Sequence, residues 1–210
     1  MNLQNAFTPE KLQEAWEIFC EDFPLALWDT LYVTILSTLF AIIIGLPLGV
    51  LLVITRKSSI CPAPTFNAVL GAVINFLRSI PFIIMLALLF PVTRAIVGTA
   101  IGTNAIIFPL VISAFPYIAR MVEGSLDEVD HGIIEAAQSM GSTNWQIIYK
   151  VLLPEAIPSL VNGAAISITT ILGYTAMASA AAGGGLGSLA IVNGLNVRKF
   201  DVMYSASLLL

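Results

Sequence analysis

No Asp, Glu, Lys or Arg occurs anywhere in residues 30–55, a run closed by Asp29 on one side and Arg56 on the other. At about 1.5 Å rise per residue, a helix of that length exceeds the ~30 Å hydrocarbon core of a bilayer. The run predicts a first transmembrane helix. Residues 66–92 are interrupted only by Arg78, and residues 95–118 lie between Arg94 and Arg120, so these predict the second and third spans. The longest gap, 156–197, contains Gly183-Gly184-Gly185-Leu186-Gly187, which should stop a helix near Ala182 and leave a fourth span over about 158–182. With 58% hydrophobic and 10% charged residues among 210, this is an all-α, polytopic membrane chain. From Val202 it turns apolar again, with fewer than half the residues a span requires, so a fifth helix is expected to be begun and cut off.

Residues 1–29 hold one Lys against six acids and lack the basic start and apolar run of a secretory signal. Thr8 can cap a helix, Pro9 suits its first position, and Leu12, Trp16, Phe19 and Phe23 recur at helical spacing beside an acidic face. This segment is expected to form an amphipathic helix lying along the membrane surface, with a frayed tail as the alternative. Cys20 and Cys61 flank the first span and so fall on opposite sides of the bilayer, which precludes a disulfide. No cofactor or metal framework follows, and His131, set in a polar loop, reads as a solvated side chain.

Sidedness cannot be counted from charge. With the loop after the first span inside, that face holds Arg56, Lys57, Arg120, Lys150 and Arg78, against Lys11, Arg94, Arg198 and Lys199 outside, a near balance.

The one long polar stretch, about 123–154, carries signals for two short helices. Ser125 with Glu128, and Thr143 with Gln146, have capping-box spacing, and Gly141 stands where a left-handed residue would end the first helix. Ile133, Ile134, Ala137 and Met140 share one predicted apolar face, with Glu135 and Gln138 pointing elsewhere; Trp145, Ile148, Tyr149 and Leu152 share another. Such a pair can present an apolar ridge to another protein, or pack against its own bundle.

The order Glu135-Ala136-Ala137, three residues, Gly141, nine residues, then Val151-Leu152-Leu153-Pro154 resembles the coupling motif of the ABC-importer permeases, with Val151 in place of the usual Ile. Further resemblance runs through 75–84 (Asn-Phe-Leu-Arg-Ser-Ile-Pro-Phe-Ile-Ile), 119–123 (Ala-Arg-Met-Val-Glu), 173–177 (Gly-Tyr-Thr-Ala-Met) and the glycine run at 183–187, and it points to the methionine uptake permeases within that family. The resemblance covers nearly the whole chain from the first span onward; the acidic N-terminal segment lies outside it.

The resemblance implies a five-helix permease core over residues 30–210 in a bacterial cytoplasmic membrane, with residues 1–29 external and the coupling loop cytoplasmic. Glu135, Ala136, Ala137, Gly141, Leu153 and Pro154 would carry the contact with an ATP-binding cassette ATPase present in two copies. Small Ala136 allows close approach, Gly141 makes the turn, and Glu135 orients the loop. The implied partners are that ATPase, a second permease copy, an external substrate-binding protein and the lipid bilayer, with no nucleic acid.

Three residues are candidates for the pathway. Arg78, costly at membrane depth unless it faces protein or water, reads either as a gate or loop anchor or as an interfacial snorkelling side chain. Tyr174 and Met177, three apart on the fourth span, would share a face bordering the gate, Tyr174 with a hydroxyl and Met177 as an adaptable plug; Met177 as packing filler is the alternative. Gly163, Ala164, Ala165, Gly173, Ala176, Ala178 and Ala180 make that span suited to close helix contact along a dimer axis. Pro47, Pro81, Pro91, Pro109 and Pro116 fall inside the predicted spans.

An enzyme is disfavoured, because no Walker A loop, metal-ligand cluster or nucleophile elbow occurs and residues 183–187 lack the Lys-Ser/Thr that holds phosphate. A stand-alone channel or secondary transporter would be expected to bury more ionisable residues than Arg78. A permease for another amino acid or a small osmolyte stays open as the alternative, since the coupling motif carries no substrate information.

Overall fold

The computed structural model describes residues 9–182, 184–196 and 200–210, and these are helical apart from short turns. The helices are α1 (Pro9–Ile54), α2 (Pro64–Ser79), α3 (Phe82–Val97), α4 (Ile107–Asp127), α5 (His131–Ser139), α6 (Asn144–Ile147), α7 (Leu153–Glu155), α8 (Ile157–Ala182), α9 (Gly185–Ser188) and α10 (Phe200–Leu209), with π-helical turns at Ile148–Leu152 and Leu189–Asn196. Among the described residues, Asp22–Ile54, Ile107–Asp127 and Ile157–Ser179 are each long and apolar enough to cross a membrane, and α2 and α3 are so only when taken together.

Four boundaries differ from the sequence expectation, each for a local reason. Asp29 does not separate a surface helix from the first span, because α1 runs unbroken through it for 46 residues. The Asp29 carboxylate is tolerated there as it accepts a hydrogen bond from the Thr103 hydroxyl at 3.0 Å. The predicted second span is two helices: Ile80 is extended (φ −81, ψ 121) ahead of Pro81, whose ring disfavours a helical residue before it. Pro81 is therefore in a break, while Pro91 and Pro116 do lie inside helices. The predicted third span, 95–118, opens instead with a turn built on Gly98 and Gly102, both at positive φ (86 and 109). Its helix starts only at Ile107 and continues past Arg120 to Asp127. Only the fourth span, α8, keeps its expected limits, ending ahead of the glycine run.

The chain forms two compact units, both of which draw on α1, α4 and α8. In the first (Met1–Ser37, Phe82–Leu110 and Thr170–Leu210), Val33, Phe82, Leu86, Ile106, Leu110 and Ala178 make one core. Phe23 and Ala26 pack with Leu186, Leu189, Ala190, Val202 and Ala206 in a second. Of the predicted amphipathic stripe, Phe23 is buried, whereas Thr8 and the side chains of Leu12, Trp16 and Phe19 lie outside the described residues. One buried hydroxyl serves two backbone partners here. Thr30 Oγ1 donates to the Ala26 carbonyl at 2.8 Å and accepts the Leu186 N–H at 2.9 Å, satisfying an amide at the start of α9.

In the second unit (Thr38–Pro81 and Val111–Thr169), glycine sets the approach of α1 to α4. A Cβ at Gly45 would stand 2.7 Å from Ile118 Cγ2, and one at Gly49 would stand 2.6 Å from the Ala119 carbonyl oxygen. Leu52, Ile74 and Ala119 close the core beside this contact. Asn67 of α2 donates its amide to the Leu52 carbonyl at 2.6 Å and to Thr55 Oγ1 at 2.9 Å, occupying acceptors at the frayed end of α1.

Candidate functional site: the polar loop and its base

The polar loop folds into two short helices as expected, with one cap misassigned. Ser125 is buried inside α4 and caps nothing; α5 is capped by Asp130, whose carboxylate accepts the Gly132 N–H at 2.7 Å. The Thr143–Gln146 capping box forms in both directions: Thr143 N–H donates to Gln146 Oε1 at 2.9 Å, and Gln146 N–H donates to Thr143 Oγ1 at 3.3 Å. Between the helices Gly141 sits at φ +79. Its N–H donates to the Gln138 carbonyl at 2.9 Å and the Ser142 N–H to the Ala137 carbonyl at 3.1 Å, the two bonds of a Schellman motif.

The expected apolar faces divide between core and surface. Ala137 (3% exposed) is the inward anchor of α5, while Met140 (80%) and Ile133 (40%) are exposed. In the second helix Ile147, Ile148 and Leu152 are buried, whereas Trp145 (69%) and Tyr149 (43%) are not. A plain α-helical reading mixes these two sets, because the π turn at Ile148–Leu152 shifts the phase. Pro154 follows that turn and has no N–H to offer the Lys150 carbonyl, which an uninterrupted α-helix would have paired. Trp145 and Tyr149 tilt against each other with ring centroids 5.9 Å apart. Together with exposed Glu135, Ala136 and Gly141 and the part-buried Leu153, these rings give the loop an outward surface of apolar and small groups. The Glu135 carboxylate is exposed, and only its backbone carbonyl is engaged, accepting the Ser139 hydroxyl at 2.9 Å.

A charge network unforeseen from the sequence stands at the base of the loop. Arg56 grips Asp127 with both terminal nitrogens, at 2.7 and 2.9 Å, and reaches Glu123 Oε1 at 2.6 Å. Arg120 donates to Glu123 Oε2 at 2.6 Å and to the Gly71 carbonyl at 3.0 Å. Hydrogen bonding to Asp127, and then to Glu123, raises the Arg56 pKa despite partial burial. The one sequence signal for it is spacing: Arg120, Glu123 and Asp127 follow at i, i+3 and i+7 on α4 and so share a face.

Of the pathway candidates, Tyr174 is part-buried, its ring stacked on Phe82 at 4.9 Å with 4° between planes, while Met177 is 52% exposed. Arg78 is exposed in the last turn of α2, where a cation complements the helix dipole.

The described residues therefore form a multi-pass set of apolar helices with a capped helical pair able to meet another protein. Residues 45–209 match the family described as "Binding-protein-dependent transport system inner membrane component", and the chain belongs to it. It is 47% identical to the probable D-methionine transport system permease protein MetI of Pasteurella multocida over 186 residues, 89% of this chain and 86% of that protein. It is 51% identical to the D-methionine transport system permease protein MetI of Escherichia coli K12 over 150 residues, 71% of this chain and 69% of that protein. Among solved structures it is similar to the MetNI methionine ABC transporter in inward-facing conformations, with a TM-score of 0.86 at 47% identity, covering 88% of this chain and 85% of that one. An amino acid ABC transporter structure shares the fold at 21% identity and a TM-score of 0.74.

Proposed function

We propose that this chain is the membrane-spanning permease subunit of an ATP-driven methionine importer, forming the translocation path and receiving its energy from a separate ATPase. The observation that carries the reading is the coupling loop: the Glu135-Ala136-Ala137 helix, closed by Gly141 and followed by the capped Thr143 helix, turns apolar groups away from its own core, in a chain whose relatives near 50% identity are D-methionine permeases. In this reading the loop faces the cytoplasm and the N-terminus faces outward. Glu135, Ala136 and Gly141 meet the ATPase, with Leu153 and Pro154 beside them and Ala137 anchoring the helix from within. Two permease copies pair along α8, of whose span only 17% is buried within this chain, against 44% for the spans in α1 and α4. Substrate arrives on an external binding protein and passes Met177, with Tyr174 fixed behind it and Arg78 at the end of α2.

The test is uptake of D- and L-methionine into proteoliposomes holding the permease, its ATPase and its binding protein. ATP-dependent accumulation of methionine, abolished when the ATPase is omitted, is the expected result. Uptake without the ATPase would overturn the reading in favour of a stand-alone channel, and accumulation of a different amino acid alone would overturn the substrate.

A further inference from the structure

The loop joining α1 to α2, residues 55–63, is fastened at both ends. At one end Arg56 holds Asp127 with two hydrogen bonds and Glu123 with a third. At the other, the Asn144 side-chain amide donates to the Ile60 carbonyl at 3.1 Å, with Cys61 Sγ at 3.2 Å. Asn144 is the first residue of α6, directly after the Thr143 cap, so this bond joins the coupling loop itself. The loop's backbone is also closed on the end of α1: the Cys61 N–H donates to the Ile54 carbonyl at 2.9 Å and the Ala63 N–H to the Thr55 carbonyl at 3.0 Å. A short loop tied at both ends and bonded back to the end of α1 has little freedom to absorb displacement.

From this geometry we infer that residues 55–63 form a strut that carries movement of the coupling loop into α1 and α4, with Arg56 and Asn144 as its positioning residues. The inference rests on the importer reading above. Arg56 suits the task because a planar guanidinium can grip Asp127 bidentately and still reach Glu123; Lys, a point charge, cannot do both. Glu123 is in turn held by Arg120, whose other contact is the Gly71 carbonyl of α2, so the loop, α4 and α2 share one network. Coupling motion that reaches Asn144 then has a direct line to the ends of α1 and α4, without passing through the exposed face of α5.

The experiment measures methionine uptake and ATP hydrolysis together in reconstituted complexes carrying Arg56→Gln, Arg56→Lys, Asp127→Asn and Asn144→Ala. A strut predicts that uptake per ATP falls about fivefold in Arg56→Gln and Asn144→Ala while the yield and melting temperature of the assembled complex are kept, and that Arg56→Lys recovers little. In the double variant Arg56→Gln with Asp127→Asn, the loss should be no larger than in Arg56→Gln alone, because that change already removes the Asp127 link. An unchanged ratio in Arg56→Gln and Asn144→Ala overturns the inference. So does a ratio unchanged among correctly folded molecules when complex yield falls, which assigns the network to folding alone. A wild-type complex that shows no ATP-dependent uptake overturns the importer reading instead, and the two failures are thereby distinguished.

Discussion

Gly49→Ala places a methyl carbon 2.6 Å from the Ala119 carbonyl oxygen and 2.6 Å from Val122 Cβ. Comfortable contact between such atoms begins near ~3.5 Å, so α4 must withdraw from α1 by about 0.9 Å. The Ala119 oxygen belongs to a helical backbone and cannot rotate aside. A gap of that size forfeits roughly a quarter to a half of each dispersion contact across it, and the contacts at stake include Leu52 and Ala119, at 1% and 0% exposure. The expected cost is about 2–3 kcal/mol, the upper range for overpacking a close contact, or a fall in Tm of roughly 4–12 °C for a chain of this length. Thermal unfolding in detergent followed by tryptophan fluorescence reads it directly. Gly124→Ala is the control: a Cβ there meets nothing within 4 Å on α4, so helix propensity should raise stability by up to about 1 kcal/mol. An unchanged Tm in Gly49→Ala would mean that α1 and α4 do not approach this closely. An equal fall in Gly124→Ala would show that losing a glycine, and not the close contact, was responsible.

Further expectations follow from single groups. Thr30→Val strands the Leu186 N–H in a buried setting and should cost about 1–3 kcal/mol, while Thr30→Ser should not; the Tm difference between the two variants checks this. Gly141→Val forces a β-branched residue to φ +79 and breaks the Schellman turn, so ATP hydrolysis should continue with methionine uptake reduced more than tenfold, measured in the same proteoliposomes. Gly173→Ala adds a Cβ with nothing within 4 Å in this chain, so a monomer would gain helix propensity; if two copies pair along α8, the variant should instead weaken the dimer, as read by native mass spectrometry.

Legibility followed the range of the forces involved. The capping box at Thr143 and the turn at Gly141 were readable because each is settled within a few residues, by a side chain reaching its own backbone or by a glycine's freedom at positive φ. Ser125 has the same spacing signal but lies inside α4, where hydrophobic burial holds it at 5% exposure. Absence of charge was a good marker of membrane residence and a poor marker of continuous helix. Residues 95–118 carry no charge, yet Gly98 and Gly102 break them, and the Ile80–Pro81 step breaks the span before. Charge, conversely, did not end helices where a partner met it, as the Thr103 hydroxyl hydrogen-bonds Asp29 and Glu123 pairs with Arg120.

By itself the sequence determined the all-helical membrane class, the limits of α8 and the local form of the coupling loop, since these rest on transfer from water and on backbone geometry. Only the tertiary structure decided which apolar side chains of that loop face outward, because a π turn sets the phase. It alone joined Arg56 to Asp127 and Glu123, and Asn144 to Ile60, since an ion pair or hydrogen bond between residues 67 to 84 positions apart depends on where the helices bring their ends.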